Sequence, residues 1–312
     1  VAADPTYAAN VPFILVFGYQ MMFAIITPAL MTGAFVGRMR FGPFLWFVAL
    51  WTIFVYLPVA HWIWGGGFLS QLGVVDFAGG IVIHASAGAS ALVTAIYLGR
   101  RPTGDSGPIP ASLPLVALGA GLLWFGWFGF NAGGAYAADG LAAYAFTNTM
   151  LAGSMAMLVW MFWEWRDAGH PTFSGVLVGS VTGLATITPA SGYVEPMSAL
   201  LIGAIGATCC YFAKYIQSWL KAEDTLEVFR AHGIGGITGS LLIGVLASPA
   251  INAVAAGGRQ LSVQAIAVAI VVIYAVIITT IILFLLDKLS KLRVPVEVQR
   301  EGLDEQYYGQ SA

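Results

Sequence analysis

Charge is what this sequence has least of. Of 312 residues, 13 are lysine or arginine and 15 are aspartate or glutamate, so only 9% carry charge, against about 25% in an ordinary soluble domain. So little polar surface cannot cover a water-facing globule, and a soluble enzyme is excluded. With 59% hydrophobic residues the chain is not a disordered tail either. The two signs nearly balance, which leaves no basic field for phosphate backbones and excludes a nucleic-acid partner. Cysteine is nearly absent. Cys209 and Cys210 are adjacent, with no CxxC or mixed Cys/His spacing, so no disulfide framework and no metal site is expected, and both read as small apolar packing residues. There is no HExxH, no GxSxG elbow and no P-loop, and nothing suggests haem or flavin. The sequence therefore predicts no enzyme and no cofactor. No signal-peptide pattern is visible, and the first residue is Val1, as in a processed chain or a fragment.

What is present is continuous apolar sequence. Residues 113–130 and 263–286 carry no charge and have the length of a helix in a bilayer, about 20 residues. Barrel strands would be about 10 residues long and alternate in polarity. The 38 glycines recur inside the apolar runs, where small residues let lipid-buried helices approach closely. The fold class read from this is all-α, a polytopic transmembrane helical bundle. Its spans are expected at 11–35, 43–63, 80–98, 113–133, 141–163, 173–188, 197–219, 228–247 and 263–286. The fifth and sixth would be joined by a polar turn, 164–170, ending at Pro171.

The basic residues set the sidedness. Arg38, Arg40, Arg100, Arg101, Arg166, Lys214, Lys221, Arg230, Lys288, Lys291, Arg293 and Arg300 fall on one set of loop ends, and Arg259 alone on the other. That bias puts the N-terminus outside and the C-terminus in the cytoplasm, which requires an odd number of spans. Residues 1–292 then form the transmembrane domain of a multi-pass protein of the cell (plasma or inner) membrane. Residues 293–312, charged and interrupted by Pro295, form a cytoplasmic tail.

The chain also echoes itself. Asp76 precedes His84 by eight residues, and Asp224 precedes His232 by eight. Each histidine opens a glycine-studded apolar helix, HASAGASALVTAIYLG and HGIGGITGSLLIGVLA. By the span order the two helices run in opposite directions, as in transporters built on inverted repeats with a site near the midplane. Ionisable groups inside spans are costly and face a cavity or a partner. The two histidines read either as interhelical hydrogen-bond glue or as a paired site able to hydrogen-bond a substrate and shuttle protons. His61 and His170 lie near expected helix ends and read as interfacial.

A second cluster is aromatic. Trp64 precedes Gly65, Gly66 and Gly67 at the outer surface, Tyr19 and Phe23 share a face of the first span, and Phe130 ends the fourth beside Asn131. Such rings form either an interfacial belt or a vestibule that takes a cation over an indole face. Asp76 reads as an N-terminal cap of the third span, or as a charge that concentrates cations nearby.

The stretch DFAGGIVIHASAGASALVTAIYLGRR from Asp76 resembles the principal motif of the ammonium transporter (Amt) family. YQMMFAIITPAL at 19–30, AHWIWGGG at 60–67, WFGFNAGG at 127–134, ITPASGYV at 187–194, VFRAHGIGGITG at 228–239 and REGLD at 300–304 match in the same order. The outer tryptophan favours Amt over the related Rhesus-type channels. The resemblance implies a homotrimer with one pore per subunit and eleven spans. The spans read here would be the third to the eleventh, with the first two lacking. It implies an outer ammonium site at Trp64, Tyr19 and Phe23, a gate where Phe23 stacks on Phe130, and twin pore histidines at His84 and His232. Trp127 would line the pore and Asp76 support the outer site. It further implies a cytosolic PII-type regulator docking on an inner face with Arg38, Arg100, Arg101 and the tail. Three positions depart from the family pattern. Tyr19 stands for phenylalanine, Gly37 for an acidic residue, and Gly134 for a serine that hydrogen-bonds the cation in many members. The function implied is capture and deprotonation of NH4+ and conduction of NH3, with or without the proton. A passive channel for NH3, CO2 or water, and an ammonium sensor, stand as alternatives.

Overall fold

The computed structural model describes residues 2–102, 112–301 and 303–309. Val1, Gly302 of the REGLD stretch and the last three residues of the tail lie outside them. The described chain is helical, with no strand beyond isolated bridges. Nine apolar helices follow in order: α1 (Phe13–Leu30), α2 (residues 41–64), α3 (Gly80–Leu98), α4 (Leu113–Ala132), α5 (Gly140–Ala168), α6 (Phe173–Ile187), α7 (Pro196–Phe212), α8 (Phe229–Leu246) and α9 (Gly258–Ser290). Two short helices, α10 (Val296–Glu301) and α11 (Leu303–Tyr308), make up the tail.

Eight of the nine, with their short extensions, are long and apolar enough to cross a membrane. The exception is the sixth, which matches the expected span to within one residue and is shorter than the rest. α6 is a 15-residue helix that stops at Ile187, and turns follow before Val194. ITPASGYV carries a proline, a glycine, a threonine and a serine, which break the helical ladder. The expected turn at 164–170 is corrected. α5 runs on to Ala168 and ends only at Gly169, in a left-handed conformation. Glu164 stays helical there because its carboxylate reaches forward to Thr172, accepting from the amide nitrogen at 2.8 Å. Thr172 in turn caps α6 through Gly175 N, and Asp139 caps α5 through Ala142 N.

α3 and α8 form the centre. In α3, 78% of the span is buried, against 6% in α4, whose leucines face outward. α3 packs on α8 and α9, while α5, α6 and α7 form a second group. Small residues allow these approaches: Gly183 and Gly203 bring α6 and α7 onto Ala152 of α5. Some polar groups inside tie helices together. Trp51 donates to Ser90 Oγ at 2.9 Å and Thr279 donates to the same oxygen at 2.8 Å, tying α2 and α9 to α3.

One end of the bundle gathers the basic residues. Arg38 is fully buried and donates to the carbonyls of Gly99, Ala34 and Glu223. Burial pulls its guanidinium down to about 10, so it is still charged at neutral pH. Arg101 pairs with Glu223 at 3.0 Å, and Arg293 donates to Arg100 O. The expected docking role of Arg38 is therefore corrected. Both of its Nη groups donate to backbone carbonyls, and the side chain is fully buried.

Candidate functional site

Both histidine helices begin with a turn of π-helix, Gly80–Ala85 and Phe229–Ile234. Such wide turns admit an extra residue and cluster at functional sites. An aspartate eight residues before each histidine organises the start. Asp76 Oδ1 accepts from Gly79 N and Gly80 N at 2.9 and 2.7 Å, and Oδ2 from Ile81 N and Val82 N at 2.7 and 3.1 Å. Four amides at a helix start, together with the helix dipole, hold this buried carboxylate without a cation. Asp224 does the same more sparingly, accepting from Phe229 N at 2.7 Å.

The two helices cross at their glycines with a two-fold pattern. A Cβ on Gly88, four residues after His84, would overlap the backbone of Gly233, next to His232. A Cβ on Gly236, four residues after His232, would fall 2.7 Å from His84 Cβ. Each glycine thus makes room for the other repeat's histidine turn, which is the packing form of the inverted echo in the sequence.

That crossing places His84 Nδ1 and His232 Nδ1 3.2 Å apart, both rings buried. A hydrogen bond between them requires one ring protonated on Nδ1 and the other bare there. His84 Nε2 is buried with no partner. It belongs to the wall of a cavity of about 450 Å³ lined by His84, His232, Trp127, Phe130, Ile26 and Leu30. Trp127 lies over both imidazoles, with ring centroids 5.5 Å from His84 and 6.3 Å from His232, and Thr188 Oγ1 fixes its indole N–H at 2.9 Å.

The aromatic residues continue from there without a break. Phe130 stacks on His84 at 6.0 Å, Phe23 lies 4.6 Å from Phe130, and Trp64 lies 5.7 Å from Phe23. Tyr19 meets Phe23 edge-on at 4.7 Å and donates its hydroxyl to Phe130 O at 2.6 Å. Trp64 donates to Asp76 O at 2.8 Å, so Asp76 orders both the helix start and the indole. Above the Phe23–Phe130 pair opens a second cavity of about 540 Å³, bounded by Trp64, Tyr19, Phe23, Asp76, Gly134 and Tyr136.

Every residue singled out in the sequence as part of a site lies in one of these two cavities or along the ladder joining them. His61 sits exposed at the rim of the outer cavity, and His170 is exposed beyond α5. Sequence reasoning missed Tyr136, Gln20 and Thr188. Tyr136 and Gln20 come together only in space, 116 positions apart, and no spacing rule could have paired them.

A family model described as the Ammonium Transporter Family matches residues 1–312. The chain belongs to the ammonium transporter family. It is 46% identical to an ammonium transporter of Aquifex aeolicus over 306 residues, covering 96% of this chain and 72% of that one. The Bacillus subtilis ammonium transporter is 40% identical over 320 residues, covering 100% and 79%. Among solved structures, the crystal structure of Saccharomyces cerevisiae Mep2 superposes with a TM-score of 0.88 at 35% identity, over 93% of this chain and 69% of that one. A protein described as a sensor Amt protein superposes with a TM-score of 0.87 at 30% identity, over 94% and 76%. This ammonium transporter is therefore a multi-span helical membrane protein and not an enzyme, as its composition foretold.

Proposed function

We propose that this transporter captures NH4+ against Trp64, Tyr19 and Phe23, strips its proton at the Phe23–Phe130 gate, and passes NH3 along His84 and His232. The observation that supports this most is the unbroken ladder of rings from Trp64 to His232, with a cavity on each side of the Phe23–Phe130 pair. A cation over an indole face gains roughly 0.5–2 kcal/mol, more where water is excluded. Beyond the gate the walls are apolar rings and imidazoles, and an unpaired charge there costs many kcal/mol. Losing a proton is the cheaper course, because desolvation favours the neutral form of a cationic acid. Two coupled imidazoles then offer a donor and an acceptor to NH3 and a route for the released proton. K+ has no proton to lose and is rejected.

Methylammonium uptake into proteoliposomes should fall to background in His84→Ala and stay at the wild-type level in His170→Ala, whose imidazole is exposed. Wild-type uptake in His84→Ala would refute the pore assignment. Current on adding ammonium separates deprotonation with proton co-transport from passive conduction of a neutral molecule, which is electrically silent. Ligand binding without flux would instead support a sensor, the activity named for one of the structural neighbours. We also propose a homotrimer, with the outward apolar faces of α4 and α9 divided between lipid and neighbouring copies. A PII-type regulator, if it docks on the basic end, meets Arg100, Arg101 and the tail, with Arg38 sealed beneath.

A further inference from the structure

The outer cavity holds a side chain that no motif assigns. Tyr136 follows a tight 3-10 turn, Gly133–Ala135, and sits in the left-handed region at φ 51°. Glycine adopts that conformation freely, while a Cβ resists it. The chain therefore holds a large aromatic residue where the backbone favours none, and strain of this kind gathers at functional sites. The turn itself is locked by its neighbours. A Cβ on Gly133 would come within 2.7 Å of the Tyr19 ring, and one on Gly134 within 2.9 Å of Phe77 O. A serine at 134 would press on that carbonyl, and a hydroxyl can instead reach the cavity from two residues further along the chain.

Tyr136 supplies one. Its ring lies edge-on to Tyr19 at 5.5 Å, which extends the aromatic wall of Trp64, Phe23 and Tyr19 by a fourth ring. Gln20 Nε2 donates to its hydroxyl oxygen at 2.6 Å. That bond orients the phenol, leaves a lone pair to accept from an N–H, and withdraws electron density from the O–H. Burial holds the phenol above its ordinary pKa, so it remains a neutral hydroxyl. Three other polar groups that line the cavity are turned elsewhere. Tyr19 directs its hydroxyl at Phe130 O, Trp64 its indole N–H at Asp76 O, and Asp76 both carboxylate oxygens at backbone amides.

We propose that Tyr136, held by Gln20, is the oxygen ligand and fourth aromatic wall of the outer cation site, replacing the hydroxyl that Gly134 lacks. The proposal rests on the outer-site reading above, and its test separates the two. Apparent KM is measured from ammonium-evoked currents and methylammonium uptake in proteoliposomes of the natural full-length protein. Tyr136→Phe keeps the ring and removes the oxygen. It should raise KM roughly 3- to 10-fold, the loss of one modest hydrogen bond, with the effect on KM and not on the maximal rate. Tyr136→Gly removes the ring as well and relieves the backbone, so KM should rise further while the melting temperature holds or increases. Gln20→Leu should raise KM in the wild-type background and add nothing in Tyr136→Phe, since the two act through one bond. A Tyr136 that served only to shape the turn would lower the melting temperature on replacement by glycine and leave KM unmoved in Tyr136→Phe. An unchanged KM in Tyr136→Phe, with a raised KM in Trp64→Leu, overturns the role of Tyr136 alone. An unchanged KM in both variants overturns the outer site itself.

Discussion

Asp76→Ala should abolish ammonium transport and destabilise the fold by about 3–5 kcal/mol, because it leaves four buried amides with no acceptor. The damage is local to the site. Gly79 to Val82 form the entry to the π-helical turn that carries His84, and Asp76 O anchors the Trp64 indole. Relaxing this corner moves the Trp64 ring and the His84 imidazole together. Asp76→Asn should be nearly as damaging. Its amide NH2 would face two backbone N–H groups in place of an oxygen, so two donors would meet two donors. Uptake in proteoliposomes and thermal unfolding in detergent, followed by the loss of monodisperse protein, measure the two effects. Wild-type stability in Asp76→Ala would mean that the amides find water, and that the carboxylate is not what holds the turn.

The contrast with Asp224 bears on the same point. Both aspartates stand eight residues before a histidine, and both were legible in the sequence as a repeated pair. The sequence could not tell that one carboxylate serves four amides while the other accepts chiefly from Phe229 N and lies against the buried Arg38 cluster. Position in the chain carries the repeat; the surroundings, which come from distant helices, decide what each copy does.

Much of the bundle was readable because lipid imposes one rule, that every backbone group be satisfied within its own helix. α3 begins and ends at the residues the apolar run marked, and α8 differs by one at each end. The error falls where that rule relaxes. At 164–170 polar residues suggested a turn, yet Trp160, Glu164 and Thr172 hydrogen-bond one another across the helix end and keep it wound. At ITPASGYV the helix ends within one residue of where the sequence put it, and the proline region that follows is buried at Ala190 and Val194. The ring ladder was foreseen as a set of residues and not as a geometry. The spacing of Tyr19 and Phe23 is visible on one helix, but the contacts of Phe23 with Trp64 and of Phe130 with His84 join four separate elements. Tyr136 was invisible because a tyrosine two positions after a glycine pair carries no motif, and only its backbone conformation and its bond to Gln20 give it meaning.

Gly88→Ala should be strongly destructive, although it adds one methyl group. That methyl would overlap the Cα and amide nitrogen of Gly233, and both are backbone, so no side chain can rotate out of the way. Overpacking of a core costs about 1–3 kcal/mol where side chains can shift, and here α3 and α8 themselves must part. Separating them lengthens the 3.2 Å bond between His84 and His232 and opens the crossing that holds both π-helical turns. The expected result is loss of uptake together with a lower melting temperature. The reciprocal change makes the test sharp. A Cβ on Gly233 would lie 3.2 Å from Gly88 Cα, tight but within reach of a small adjustment, so Gly233→Ala should keep part of its activity. Gly121→Ala, on the exposed face of α4 with nothing within 4 Å, should behave as wild type. Three glycines to alanine, identical in chemistry, are thus ranked by the space each one faces. Equal uptake in Gly88→Ala and Gly121→Ala would show that the two helices do not cross at the histidines, and the paired imidazoles would lose their support.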